Sequence, residues 1–115
     1  LVLTAFGSVG RVAKAAVNRA RKMGMKVGLF RPITLFPFPD KALHQVAQNA
    51  DMILDLELNK GQMLLDVRSA VFGACPVEFY GRTAGGLLTP DMIMAKIEEL
   101  YKKLDNTEES KAGVR

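Results

Sequence analysis

Leu1-Val2-Leu3-Thr4-Ala5-Phe6-Gly7-Ser8-Val9-Gly10-Arg11-Val12-Ala13 changes its hydrophobic pattern part-way along. Leu1 to Ala5 is an apolar run that reads as a strand and stops at Phe6-Gly7-Ser8. From Val9 onward the apolar residues Val12, Ala13, Ala16, Val17, Ala20 and Met23 recur at helical spacing. Ser8 is placed to cap this amphipathic helix. Arg19, Arg21 and Lys22 suit the negative end of its dipole, and Gly24 supplies the stop.

The same alternation runs on down the chain. Lys26 to Phe30 reads as a second strand, and Arg31 to Pro39 as a fixed loop whose three prolines, Pro32, Pro37 and Pro39, forbid a regular helix. A short helix starting at Pro39 buries Leu43, Val46 and Ala47. Met52 to Leu58 is a third strand, interrupted on one face by Asp55 and Glu57. Gly61 to Phe72 is helical through Met63, Leu64, Val67, Ala70 and Val71, and Gly73 ends it. Val77 to Tyr80 is a fourth strand, Gly81 to Leu88 a glycine-rich loop, and Thr89-Pro90-Asp91 the cap and first turn of a last helix. Ile93, Ile97, Leu100, Tyr101 and Leu104 form the buried stripe of that helix. Strands alternating with helices, without an internal repeat, predict a three-layer α/β/α domain over residues 1–104 with a mainly parallel sheet of about four strands. Residues 105–115 hold one large apolar residue, Val114, and are expected to form a disordered tail.

A chain of 115 residues, 49% hydrophobic and 24% charged, has room for one soluble domain and no second core. It opens on Leu1 inside an apolar run, with no initiator Met or charged leader, and so reads as a piece of something longer. No apolar run reaches the roughly 20 residues that cross a bilayer, and no secretory signal is visible, so the expectation is a cytoplasmic domain without a membrane partner. Cys75 is the only cysteine, which excludes an intrachain disulfide and leaves no ligand set for an iron–sulfur cluster. Of the 16 basic residues behind the net charge of +4, Arg11, Lys14, Arg19, Arg21 and Lys22 share one helix and the rest are scattered. Without stacking aromatics or a binding motif this is a solvated helix face, not a nucleic-acid footprint.

In parallel sheets ligands bind beyond the carboxyl ends of the strands. There the chain places Phe6 to Gly10, Arg31 to Pro39, Asn59-Lys60-Gly61-Gln62 and Gly81 to Gly86 on one rim. Gly7, Ser8, Val9 and Gly10, with Arg11 nearby, form a candidate anion site on the amides of a helix N-terminus. A dinucleotide fingerprint would need a third glycine and an acid ending the second strand, where Ala13 and Arg31 stand instead. Asp55 and Glu57 should point to one side of their strand. They could do acid–base work, but a half-solvated face with Glu57 bonded to the backbone amides of a nearby loop is favoured, since no nucleophile accompanies them. His44 is expected to be exposed or capping, and Cys75 to be a small buried hydrophobe.

Three stretches taken together, Gly28 to Pro39, Glu57-Leu58-Asn59-Lys60-Gly61-Gln62-Met63 and Phe79-Tyr80-Gly81-Arg82, resemble the alpha-type subunit of the 2-oxoacid:ferredoxin oxidoreductases. The resemblance extends from the opening strand to about Leu104. It implies a transketolase C-terminal-like domain whose antiparallel edge strand would precede Leu1. It also implies an enzyme that oxidatively decarboxylates 2-oxoacids to acyl-CoA with thiamine diphosphate, Mg, iron–sulfur clusters and coenzyme A, and reduces ferredoxin. Phe36 stands where the family often has Trp, and Ala84 and Leu88 vary its glycine- and proline-rich loop, which bears on the substrate: branched-chain 2-oxoacid or 2-oxoglutarate. The sequence has no Gly-Asp-Gly signature for the magnesium diphosphate and no cysteine cluster. The implied role is therefore non-catalytic: no cofactor is expected on this domain alone. Its partners would be the remainder of the alpha-type subunit, the thiamine-binding beta-type subunit and, through the complex, ferredoxin. Arg31, Phe36, Phe38, Glu57, Asn59, Gln62, Tyr80 and Arg82 are the candidate docking residues, with Phe36 and Phe38 as exposed aromatics. The competing readings are a self-standing nucleotide-binding or regulatory domain using Gly7, Ser8 and Gly10, and a receiver-like module. The second lacks the acidic pair after the first strand and has Asn59 where an Asp should end the third.

Overall fold

The structure is a computed structural model that describes residues 1–35, 37–58, 63–81 and 87–114, with side chains described as far as Asp105. Strands and helices alternate as β1 (Val2–Thr4), α1 (Ser8–Lys22), β2 (Gly28–Phe30), α2 (Asp40–Gln48), β3 (Ile53–Glu57), α3 (Leu64–Val71), β4 (Val77–Gly81) and α4 (Pro90–Val114). The sheet order is β2-β1-β3-β4, and each of the three pairings is parallel. β1 lies between β2 and β3, with Thr4 opposite both Phe30 and Asp55.

Pleating divides the core in two. Leu1, Leu3, Ala5, Met52, Leu54 and Leu56 point to one face, where α1 and α4 bring Val9, Ala13, Val17, Ile93, Ile97 and Leu100. Val2, Phe30, Ile53 and Val77 point to the other, where α2 and α3 bring Leu43, Ala47, Val67 and Val71. Helices therefore cover both faces of the sheet, which is why every residue of β3 is buried while the edge strand β4 is half-buried along its length. α1 meets the sheet through Ala13, Ala16 and Ala20, whose small side chains let the helix lie close. His44 ties α2 to α3 by donating from Nδ1 to the Ala70 carbonyl at 2.9 Å, and is half-buried, not exposed. At the start of α4, Thr89 Oγ1 accepts the Met92 N–H at 3.2 Å, the cap that Thr89-Pro90-Asp91 predicts.

Ser8 does not cap α1. Gly7 occupies the N-cap position with φ 70° and ψ −138°, no side chain caps the helix, and Ser8 is its first residue. The turn from β1 needs a backbone conformation that is nearly glycine-only, so the cap moves one residue earlier than the Ser8 hydroxyl suggests. α3 begins at Leu64, later than its periodicity suggests, and closes on Phe72 in the left-handed region, one residue before Gly73. The backbone of α4 stays helical to Val114. Past Leu104 the chain has no proline, and its Glu, Lys and Ala residues have good intrinsic helix propensity.

Candidate functional site

The chain leaves β1 outward to β2 and then returns to place β3 on the other side of β1, so the loops after β1 and β3 depart in opposite directions. The crevice that opens at such a switch point is where open α/β sheets bind ligands. Here it is a cleft of about 240 Å³ lined by Phe6, Gly7, Ser8, Val9, Leu35, Leu56, Glu57, Leu58 and Met63. Two kinds of polar group reach it. The first-turn N–H groups of α1 at Ser8 and Val9 have no intrahelical acceptor, because a helix leaves its first N–H groups unpaired. Glu57, which also lines the cleft, is only 4% exposed.

Glu57 and Asp55 share the face of β3 that carries Ile53, as their alternation predicts, but that face is not half-solvated. Asp55 is fully buried. α2 and α3 cover this face, and the layer that excludes water from Ile53 excludes it from Asp55. Thr4 Oγ1 on β1 donates to Asp55 Oδ1 at 2.8 Å, and the Met63 N–H at the foot of α3 donates to Glu57 Oε1 at 2.8 Å. The second bond is the loop-amide contact expected of Glu57. Asp55 Oδ2 and Glu57 Oε2 meet no N–H or hydroxyl donor among the described residues. Burial, then hydrogen bonding to Glu57, push the Asp55 carboxyl up to about 8 against the opposing pull of the Thr4 hydroxyl. At neutral pH Asp55 therefore holds a proton and offers it to its neighbour.

The anion-site residues come together only in part. Gly7, Ser8 and Val9 line the cleft, Arg11 is exposed, and Gly10 is buried against the side chain of Arg31. A Cβ at position 10 would collide with the Arg31 guanidinium, a contact between α1 and the loop after β2 that no sequence spacing announces. Among the docking residues, Arg31 is exposed, whereas Phe38 is half-buried against the α2/α3 core and not the exposed aromatic expected. Tyr80 packs on the α1/α4 core with Lys96 Nζ 5.7 Å from its ring centroid. Phe36, Asn59, Gln62 and Arg82 lie outside the described residues. The large apolar groups left open near the carboxyl ends of the strands are instead Phe6, Ile33, Leu58 and Leu87. Cys75 packs half-buried against the α2/α3 core, where burial pushes its thiol up and blunts it as a nucleophile.

Replacing Gly7 tests the turn that forms one wall of the cleft. Nothing lies within 4 Å of a Cβ at position 7, so its effect is purely conformational. Gly7→Ala is expected to cost about 1–3 kcal/mol of stability in urea unfolding; an unchanged midpoint would show that the turn relaxes freely.

A parallel α/β/α domain with an open switch-point crevice defines a class of doubly wound modules. Within that class the chain belongs to the family described as pyruvate:ferredoxin oxidoreductase core domain II, which matches residues 1–93. It is 43% identical over 100 residues to ketoisovalerate oxidoreductase subunit VorB of Methanothermobacter marburgensis, covering 87% of this chain and 28% of that protein. To 2-oxoglutarate synthase subunit KorA of the same organism it is 30% identical over 97 residues, covering 84% and 26%. To pyruvate synthase subunit PorA of Methanosarcina barkeri it is 26% identical over 113 residues, covering 90% and 28%. The chain thus spans little more than a quarter of the length of the curated relatives it matches.

The residues present do not fit the cofactors this family implies. An iron–sulfur cluster takes about four thiolates and the chain carries a single cysteine. The sequence has no Gly-Asp-Gly signature, and among the described residues no three His, Cys, Asp or Glu side chains converge to hold a metal ion. Nor is any helix among the described residues long and apolar enough to cross a membrane.

Proposed function

We propose that the chain is a non-catalytic assembly domain of a 2-oxoacid:ferredoxin oxidoreductase. In that reading the rim at the carboxyl ends of its strands docks on the rest of the enzyme. The complete enzyme would decarboxylate a 2-oxoacid with thiamine diphosphate and Mg, pass electrons through iron–sulfur clusters to ferredoxin, and release acyl-CoA in the cytoplasm. The remainder of the alpha-type subunit and the thiamine-binding beta-type subunit would be its partners. The higher identity to the ketoisovalerate subunit, 43% against 30% for the 2-oxoglutarate subunit, favours a branched-chain 2-oxoacid as substrate.

The observation that carries the docking reading is the exposure of Ile33 at 92% and Leu87 at 74%, with Phe6 and Leu58 also open. Exposing such side chains forgoes burial energy, and apolar groups left open where the chain leaves the strands fit an interaction surface. Together with Arg31 they give the mixture of apolar centre and polar border found at protein interfaces. In the complete enzyme, Ile33→Asp combined with Leu87→Asp is expected to weaken subunit association about tenfold or more, measured by analytical ultracentrifugation. The melting temperature of the 115-residue chain carrying both changes should move little. Unchanged association would refute the docking role.

A further inference from the structure

Asp55 and Glu57 are acids in a layer that otherwise holds apolar side chains, and each keeps one oxygen on a protein donor. Asp55 Oδ1 accepts from the Thr4 hydroxyl, and Glu57 Oε1 from the Met63 N–H. The other oxygen of each, Asp55 Oδ2 and Glu57 Oε2, meets no N–H or hydroxyl donor among the described residues. Two such oxygens, one on each of two hydrogen-bonded side chains, are satisfied together by a single proton between them. A line of hydrogen bonds then runs from β1 through Asp55 and Glu57 to the foot of α3.

Few charges face this line. β1 offers the neutral Thr4 hydroxyl, and β4 places Phe79 opposite Asp55. On α3, Arg68 favours the charged form of Asp55 from a distance, and Asp66 is exposed. On α2, His44 is taken up by the Ala70 carbonyl, while Asp40 and Lys41 are exposed. Cys75 packs in the same core, and its thiol, raised from 9.0 by burial, stays neutral where Asp55 changes. Glu57 is therefore the charge that governs Asp55, and Asp55 the group that governs Glu57.

Taking the proton away sets two like charges side by side in a dry layer, where they repel strongly. Asp55 is fully enclosed and held by Thr4, so it cannot move off. Glu57 has the longer side chain and stands at the end of β3, where it lines the cleft of about 240 Å³. It is the partner with room to turn, and turning breaks its bond to Met63. We propose that the Asp55–Glu57 pair is a proton-dependent latch: with its proton it holds the foot of α3 to the sheet, and without it Glu57 swings into the cleft and releases Met63. The release is local, because Val67, Ala70 and Val71 keep the body of α3 on the core.

Both ends of the latch can be read by carbon NMR in the chain labelled with 13C at the Asp and Glu carboxyls and the Met methyls, titrated from about pH 6 to about pH 10. The Asp55 carboxyl and the methyl of Met63, a side chain 3% exposed, are expected to move together with one midpoint near pH 8. One pH unit above the midpoint the released form should outnumber the latched form about tenfold. Asp55→Asn, whose amide donates to Glu57 at every pH, should keep the Met63 methyl still. Glu57→Gln should do the same, since its amide still accepts from Met63 and donates to Asp55; either variant suffices if the other folds poorly. A Met63 methyl that stays put while Asp55 titrates would show a proton without a latch. One that moves equally in Asp55→Asn would show another group driving it, and an Asp55 carboxyl with no transition in this range would mean that no proton is shared. Each of these three results overturns the latch.

Discussion

Between pH 5 and pH 8 the chain is expected to lose stability steadily, by on the order of 1 kcal/mol per pH unit, and Asp55→Asn to remove that slope. The direction follows from Asp55, whose carboxyl rises from an ordinary 3.8 to about 8 in the fold, chiefly through burial and then through Glu57. Below 3.8 folded and unfolded chains both hold the proton and the stabilisation is complete. From there to about 8 the unfolded chain releases a proton that the folded chain keeps, so each increment of pH favours unfolding, and above about 8 the slope vanishes. Cys75 acts in the same sense, but its thiol is raised from 9.0 and contributes only above that pH. Asparagine keeps the geometry: its Oδ1 can still accept from Thr4 Oγ1, and its Nδ2 can donate to Glu57 where the carboxyl proton did. Urea unfolding at each pH unit from 5 to 8 measures the effect. A parent chain as stable at pH 8 as at pH 5, or an Asp55→Asn variant with the parent's slope, would show that the pair is not protonated in the fold.

The sequence exposes burial where burial repeats, and hides it where two distant segments must meet. The helical period from Val9 to Met23 and the stripe from Ile93 to Leu104 announce α1 and α4, because one face of each lies on the sheet. That Asp55 and Glu57 share a side of β3 is legible from their alternation. That the side is dry is not, since it depends on Thr4 lying in register with Asp55, some fifty positions away in the chain, and on α2 and α3 closing over both. The cleft is hidden for the same reason: its walls come from the ends of β1 and β3, which are neighbours only because β2 was laid on the far side of β1. In the loop after β2, prolines leave no period to read, so nothing local indicates that Phe38 turns inward while Ile33 stays 92% exposed. Ser8 misled because a good capping residue lies next to Gly7, whose φ of 70° sets the actual start of α1.

Leu54→Ala is expected to cost about 2–5 kcal/mol, a large share of the roughly 5–15 kcal/mol that holds a domain of this size together. Leu54 lies in β3, paired to β1 on one side and β4 on the other, and its side chain is wholly buried against the α1/α4 layer among Leu3, Leu56 and Ile97. Truncation removes apolar area from a place that cannot refill: the sheet is fixed by hydrogen bonds on both edges of the strand, and the α1 residues Ala13 and Ala16 of the same core are too short to reach into a gap. Leu65→Ala supplies the contrast, because Leu65 is 74% exposed on α3 and alanine is the better helix former. That change should stay within about 0.5 kcal/mol of the parent. Urea unfolding of both variants at one pH decides the matter. Equal small losses would mean that the α1/α4 layer yields around Leu54, and that the two-layered core is looser than its packing implies.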